Sequence, residues 1–443
     1  MNRQEKPLPP LVLPRMNQTD QAYAGDLLGR KDLGDRLTGY LDRLREGAVL
    51  AIDAPWGEGK TWFGRNWAKH LQEQGHKVIF IDAFEQDYVE DPFLLITAEI
   101  IDVVESGKES KALLKTASVV MQAILPVGTK AMINLAGRLA LGSADLSEDF
   151  LKAAEAAQKG AADTTSKWVE KKLKDHVQEK KSLQSFQTEL AKFAATQDKP
   201  VVLFIDELDR CRPSFGVGLV ERIKHFFDVP NLVFILLLNR DQLESAIRGV
   251  YGADTDATAY LGKFVNFFFR LPKRTSIGLI RNDHVKQYVS HIIERYNFEC
   301  DYHLFKQKMS VMATAFNLSL RDIERAIALY AFSQPHTLLN HYLAYLITLK
   351  ISKPQLFQRL INNEKMAHME AKKIIDELIQ EFSRINQLDD DLIKFSEWHE
   401  AHIKDFKDVG ENIGRIFNGL YQYNISQNEL FTFLASRIDL PIE

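Results

Sequence analysis

AIDAPWGEGKTWF, residues 51–63, carries a short apolar run into a glycine-rich loop and then into a lysine and a threonine. It nearly fits G-x-x-x-x-G-K-[ST], the pattern of a loop that cradles phosphates. Ala54 stands where the first glycine of that pattern falls. A triphosphate needs backbone N–H groups turned inward, a helix N-terminus behind them and one cation. Gly57 and Gly59 permit the backbone conformations of such a nest, Lys60 reaches toward β- and γ-phosphates, and Thr61 offers a hydroxyl to Mg²⁺. The nucleotide-binding segment is therefore expected to run from Trp56 through Gly57, Glu58, Gly59, Lys60 and Thr61 to Trp62. Alanine is tolerated at position 54 if its φ is negative. A plain structural turn is the competing reading while these residues stand alone.

The flanks decide between the two. AVLAID (48–53) reads as a buried strand, TWFGRNWAKHLQEQG (61–75) as a helix stopped by Gly75, and KVIFIDAF (77–84) as a parallel strand covered on both faces. Strand, glycine loop, helix and strand make one βαβ unit, the context such a loop requires. Upstream, Leu33, Leu37, Leu41 and Leu44 recur at helical spacing within 26–46, and DPFLLITAEIIDVV (91–104) reads as a further helix.

KPVVLFIDELDRC (199–211) resumes the core with an apolar run ending in acid. A carboxylate at the exit of a strand beside the phosphate loop holds Mg²⁺, and an adjacent one can take a proton from attacking water. Asp206 is thus the expected metal-side residue, with Thr61, and Glu207 the expected general base. NLVFILLLNR (231–240) is the next buried strand, and Asn239 at its end either touches the γ-phosphate or merely starts the following helix. YLGKFVNFFFRLP (260–272) leads to a last strand near 267–271. Five strands with helices between them imply an α/β fold with a doubly wound parallel sheet. Asp209, Arg210 and Arg212 either read a neighbouring subunit's γ-phosphate or pin the loop; Arg270 and Arg274 are further candidates. LSLRDIERAIALY (318–330) puts Arg321 and Arg325 one turn apart, and Arg321 either reaches the phosphates or lies on a solvated face.

The expected organisation is a leader over 1–24, a core over 25–275 with a helical insertion over about 105–195, a helical lid-like subdomain over 276–351 and a C-terminal helical region over 352–443. The aromatics of FSEWHE and IFNGLYQY in that last region are expected in its core. The 443 residues carry a net charge of −4, which makes no whole-chain case for a nucleic-acid partner. Two cysteines, Cys211 and Cys300, are too few for a disulfide framework or a zinc site and fit a reducing, cytoplasmic setting. The apolar stretch 113–142 is interrupted by Lys115, Lys130 and Arg138, and its longest uncharged run, 116–129, falls short of the roughly 17–25 residues of a spanning helix. Buried helices are the expectation there, with an interfacial membrane contact left open.

PWGEGKT (55–61), FIDAFEQDYVEDPF (80–93), FIDELDRC (204–211) and ATAYLGKFVNFFFRLP (257–272), occurring in that order, resemble the KAP family of P-loop NTPases over roughly residues 25–330. The resemblance implies an AAA+-related ATPase core with a helical insert between its two nucleotide motifs, ATP rather than GTP as ligand, and a role in bacterial phage exclusion or mobile-element defence. Many relatives carry transmembrane helices in the insert, whereas 113–142 is too short and too charged. Two functions fit these residues. One is a Mg²⁺-dependent ATPase in which Lys60, Thr61, Asp206, Glu207, Asn239 and Arg321 bind, activate and sense, with a protein partner docking on the insert or the C-terminal region and a homo-oligomer compatible. The other is a nucleotide-gated scaffold with negligible turnover.

Overall fold

The computed structural model describes residues 21–89, 92–103, 112–113, 116–117, 120, 181, 183–226, 229–272, 283–296, 303–333, 340–384, 388–404 and 429–438. Two compact units emerge: one over Gln18–Lys273, the other over Arg274–Glu443 together with Met1–Asn17. Residues 1–20 of the expected leader, most of the insertion and of 113–142, Arg274, Cys300 and the IFNGLYQY segment lie outside the described residues. The end of the leader, 21–24, is described, and Tyr23 there is buried, with its N–H donating to Asn66 Oδ1 at 2.7 Å.

The first unit is the expected α/β core. Its strands are β1 (Ala48–Asp53), β2 (Val78–Asp82), β3 (Val201–Asp206), β4 (Leu232–Leu238) and β5 (Phe267–Arg270). They form one sheet in the order β2-β3-β4-β1-β5, and every pair is parallel. The helices between them are α2 (Lys60–Glu73), α3 (Pro92–Val103), α4 (Pro213–Ile223), α5 (Arg240–Tyr251) and α6 (Ala257–Leu261), with α1 (Arg30–Leu41) ahead of β1.

Alternate residues of each central strand enter different cores, because successive side chains point to opposite faces. Leu50 and Ile52 of β1, Val202 and Phe204 of β3, and Ile235 and Leu237 of β4 pack beneath α1 and α2 with Leu41, Phe63, Trp67 and Leu71. Ala51, Leu203, Ile205, Phe234 and Leu236 face the other way, against α3, the helical stretch 183–195, α4 and α5. Both faces being covered, β3 and β4 are buried along their whole length. That is why they read as unbroken apolar runs rather than as alternating ones.

α2 lies so close to the sheet that a Cβ at Gly64 would meet Leu237 Cδ1 at 2.1 Å. Leu237 is fully buried in the central strand β4, so its side chain can turn aside only against packed neighbours. Gly64→Ala should therefore lower stability by about 1–3 kcal/mol, read by thermal melting.

The second unit is helical in every described element: α7 (Asp283–Tyr296), α8 (His303–Ala315), α9 (Leu320–Phe332), α10 (Asn340–Ser352), α11 (Pro354–Ile361), α12 (Lys365–Arg384), α13 (Asp390–Lys404) and α14 (Leu430–Ile438). Ser319 and Asp322 close a reciprocal cap at the start of α9. Pro354 sits in the first turn of α11, and the residue before a proline is steered out of helical geometry, so the chain breaks at Lys353. The apolar core runs across that break, joining Ile293, Phe305 and Leu346 to Phe357, Trp398 and Phe431. The aromatics of FSEWHE, Phe395 and Trp398, are buried in it.

Candidate active site

The sheet order sets the site. β1 lies between β4 and β5, so the connections out of β1 and into β5 leave in opposite directions, and a crevice opens at the carboxyl ends where the order reverses. The phosphate loop leaves β1 there. Asp206 ends β3, and Asn239 follows the last residue of β4, the strand lying between them.

Gly57 and Gly59 have φ of 83° and 75°, left-handed values that favour glycine. Ala54 shows no positive φ and is buried, with its N–H donating to Leu238 O at 3.2 Å, so alanine serves where the pattern has glycine. Gly59 caps α2, and Lys60 opens it. The Lys60 ammonium donates to Ala54 O at 2.7 Å and Pro55 O at 3.2 Å, closing the loop on itself. Burial pulls its pKa below the ordinary lysine range, against the opposing charges of Asp209, Asp206 and Glu207.

Asp206 is 1% exposed. Its Oδ1 accepts the Glu207 N–H at 2.9 Å, while Oδ2 is buried without a hydrogen-bond partner. Burial pushes this carboxyl up to about 6, the Glu207 and Asp82 charges add to the rise, and the hydrogen bond from the Glu207 backbone opposes it. A buried carboxylate oxygen with nothing to bind is expensive, and a cation removes the cost. Asp206 and the Thr61 hydroxyl are hard oxygen donors of the kind Mg²⁺ takes. No cluster of three or more metal-ligating side chains occurs among the described residues. Magnesium needs none, since one or two carboxylates with phosphate oxygens and water suffice.

Glu207 sits at φ 58°, a strained value for a non-glycine residue at the strand exit. Its Oε1 accepts the Thr61 hydroxyl at 3.3 Å, and its Oε2 pairs with Arg210 Nε at 2.6 Å. Burial raises its pKa and Arg210 draws it back. Arg212 binds the Asp87 backbone carbonyl and carboxylate, and Asp209 accepts the Trp56 indole N–H. Of the two readings of Asp209, Arg210 and Arg212, the geometry is that of side chains pinning loops. Arg270 is an exposed end of β5 in register with Asp53.

Trp62, in the first turn of α2, lies edge-on to Tyr23 at 6.2 Å. Glu58 is buried within the loop. The Asn239 side chain makes no cap bond to α5, although its backbone carbonyl starts the helix. Arg321 is an exposed residue of α9 in the other unit, and Arg325 there pairs with Asp322 at 3.7 Å.

Two contributors escape a reading of motifs. Asp82 ends β2 in register with Asp206 and binds the N–H groups of Phe84 and Glu85 at 3.1 Å each. Its place at a strand end, like that of Asp206, was the available signal. Arg30 of α1 donates to Glu58 O at 2.5 Å and Gly59 O at 3.0 Å. Nothing in its local sequence marks it, because the contact spans 28 residues of chain.

A phosphate loop between a strand and a helix, with a buried carboxylate at the same edge of the sheet one strand beyond β4, defines a P-loop NTPase core. The chain belongs to the KAP family: the family's P-loop domain matches residues 33–335. No curated protein matches the sequence. Two solved structures of the ORC2 protein of Aeropyrum pernix align with nearly the whole chain at 11% identity. The ADPNP-ADP complexes cover 98% of this chain and 96% of that one at a TM-score of 0.31, and the ADP form covers 96% of each at 0.33. Among the described residues no helix is long and apolar enough to cross a membrane.

Proposed function

We infer that this KAP protein binds and hydrolyses ATP with Mg²⁺ and couples nucleotide state to a conformational change. The observation that carries the reading is the buried, unpartnered Asp206 Oδ2 beside Thr61 and Lys60 at the switch point of the sheet. Thr61 and Asp206 would hold Mg²⁺, which supplies charge neutralisation on the phosphate oxygens. Lys60 leaves the Ala54 and Pro55 carbonyls and pairs with the β- and γ-phosphates. Glu207, released from Arg210, takes a proton from water. That water's oxygen forms a bond to the γ-phosphorus as the bond to the diphosphate oxygen breaks, and orthophosphate leaves. Asn239 senses the γ-phosphate from the end of β4, and Arg321 is the second sensing residue of this reading. A homo-oligomer, a protein partner on the insertion or the C-terminal region, and a cytoplasmic setting belong to the same reading. The defence role implied by family resemblance would appear as lost phage protection in cells carrying Lys60→Ala.

A second reading, the nucleotide-gated scaffold, is favoured by one observation. Glu207 is already held by Arg210 at 2.6 Å, and a residue so engaged does not activate water until the pair opens. Phosphate release separates the two. In the ATPase, Lys60→Ala loses nucleotide binding, and Glu207→Gln retains ATP while turnover falls by about 100-fold or more. A wild type that binds ATP tightly and releases no phosphate would establish the scaffold.

A further inference from the structure

We propose that Arg30 is a positioning residue that clamps the phosphate loop from behind and aims its amides at the β-phosphate of a nucleoside di- or triphosphate. The proposal rests on the nucleotide-binding reading above. The Arg30 side chain is 2% exposed, and its guanidinium forks onto two consecutive carbonyls, Glu58 O through Nη2 and Gly59 O through Nη1. In a trans peptide the C=O and N–H groups point in opposite directions. Holding those two carbonyls therefore turns the N–H groups of Gly59 and Lys60 away from Arg30. Gly59 O also accepts the Phe63 N–H at 3.0 Å, so the second of these peptides is the first of α2, where the helix dipole adds its positive end.

The Ala54–Leu238 and Trp56–Asp209 bonds hold the start of the loop, and the clamp holds its glycine half. Gly57 and Gly59 are the residues with most conformational freedom, and the Lys60 ammonium that braces the loop from the other side must leave when phosphate arrives. Arg30 does not have to leave. It supplies a fixed, charge-assisted pair of hydrogen bonds with a planar fork that lysine cannot reproduce. Its own place is secured independently of nucleotide. Trp67 Nε1 of α2 donates to Thr38 Oγ1 of α1 at 3.0 Å, and Tyr23 N, ahead of α1, donates to Asn66 Oδ1 of α2 at 2.7 Å. The clamp thus ties loop geometry to the docking of α1 on α2.

The test is calorimetric titration of full-length wild type, Arg30→Lys and Arg30→Ala with ADP and with inorganic pyrophosphate. Melting temperature of the nucleotide-free proteins serves as the folding control. The expected result is a loss of affinity of about 10- to 100-fold for both ligands in either variant, with folding retained. Millimolar guanidinium ion should restore binding to Arg30→Ala, and ammonium ion should not. A purely structural role would not give that selective rescue. Should Arg30→Ala fail to fold, Arg30→Lys carries the test alone. Variants that bind both ligands as tightly as wild type, or losses that guanidinium does not repair in a folded Arg30→Ala, would overturn the clamp. A wild type that binds neither ligand would instead overturn the nucleotide-binding reading beneath it.

Discussion

Asp206→Asn should raise the melting temperature of the nucleotide-free protein while abolishing magnesium-dependent phosphate release. The buried carboxyl stands at about 6 in the folded protein, against 3.8 for the free side chain. A raised carboxyl pKa means that the folded state holds its proton more tightly than the unfolded one. The associated stability is present below pH 3.8 and is lost as pH rises through 6. At pH 7.5 the ionised, half-satisfied carboxylate therefore costs up to about 3 kcal/mol. Asparagine keeps an oxygen for the Glu207 N–H and carries no charge. The expected gain is about 5–10 °C at pH 7.5, vanishing at pH 4. Scanning calorimetry at the two pH values measures it. An unchanged or lower melting temperature at pH 7.5 would mean that Asp206 already has a counter-charge in the folded protein.

The helical unit should respond to pH in the opposite sense and lose its native packing as pH falls from 7 to about 4.5. The physical basis is a buried chain of neutral imidazoles. Only one donor order satisfies every nitrogen along it. The Tyr345 hydroxyl donates to His399 Nε2 at 2.8 Å, His399 Nδ1–H donates to His368 Nδ1 at 2.9 Å, and His368 Nε2–H donates to Asn363 Oδ1 at 3.2 Å. His402 stacks on His368 at 4.1 Å. A second proton on either histidine of the chain would bury a positive charge among the other imidazoles.

Burial holds His368 down at about 4 and His402 at about 3, and places His399 well below its ordinary value, with His368, His402 and Lys372 adding repulsion. A depressed histidine pKa means that the unfolded state binds the extra proton first. Stability is therefore full above pH 6.5 and is lost as pH falls toward 4. His368 alone accounts for about 2–3 kcal/mol at pH 4.5, a large share of the 5–15 kcal/mol typical of a domain. Near-ultraviolet circular dichroism should report the loss, since Tyr345, Trp398 and Phe431 surround the chain. His368→Gln should remove its own share of that pH dependence and leave the share of His399 and His402. Stability that stays level from pH 7 to 4.5 would refute the neutral chain.

Much of the core was legible because its signals are local. The strand runs 48–53, 201–206 and 232–238 are apolar up to their last residue since both sheet faces are covered, and a polar residue, Asp53, Asp206 or Asn239, stands where each one ends. Gly57, Gly59, Lys60 and Thr61 lie within a single turn of chain, so their spacing alone implies a phosphate cradle. Asp206 follows from its strand by the same logic.

Other features depend on which residues meet across long stretches of chain. Order in the sheet placed β4 between β1 and β3, and so put Asn239 between the phosphate loop and Asp206. Glu207 looked like an available base, yet the turn at its positive φ brings Arg210 back onto it. Arg30 reaches the loop only because α1 docks on α2, and the histidine chain joins residues 31 positions apart. The sequence by itself determined the parallel α/β core and the phosphate loop with its carboxylate, because hydrophobic period and turn chemistry are encoded within a few residues. The tertiary structure alone decided which of those groups are held, which are left unpartnered and which carry the proton, because partnership and burial are properties of packing between segments distant in sequence.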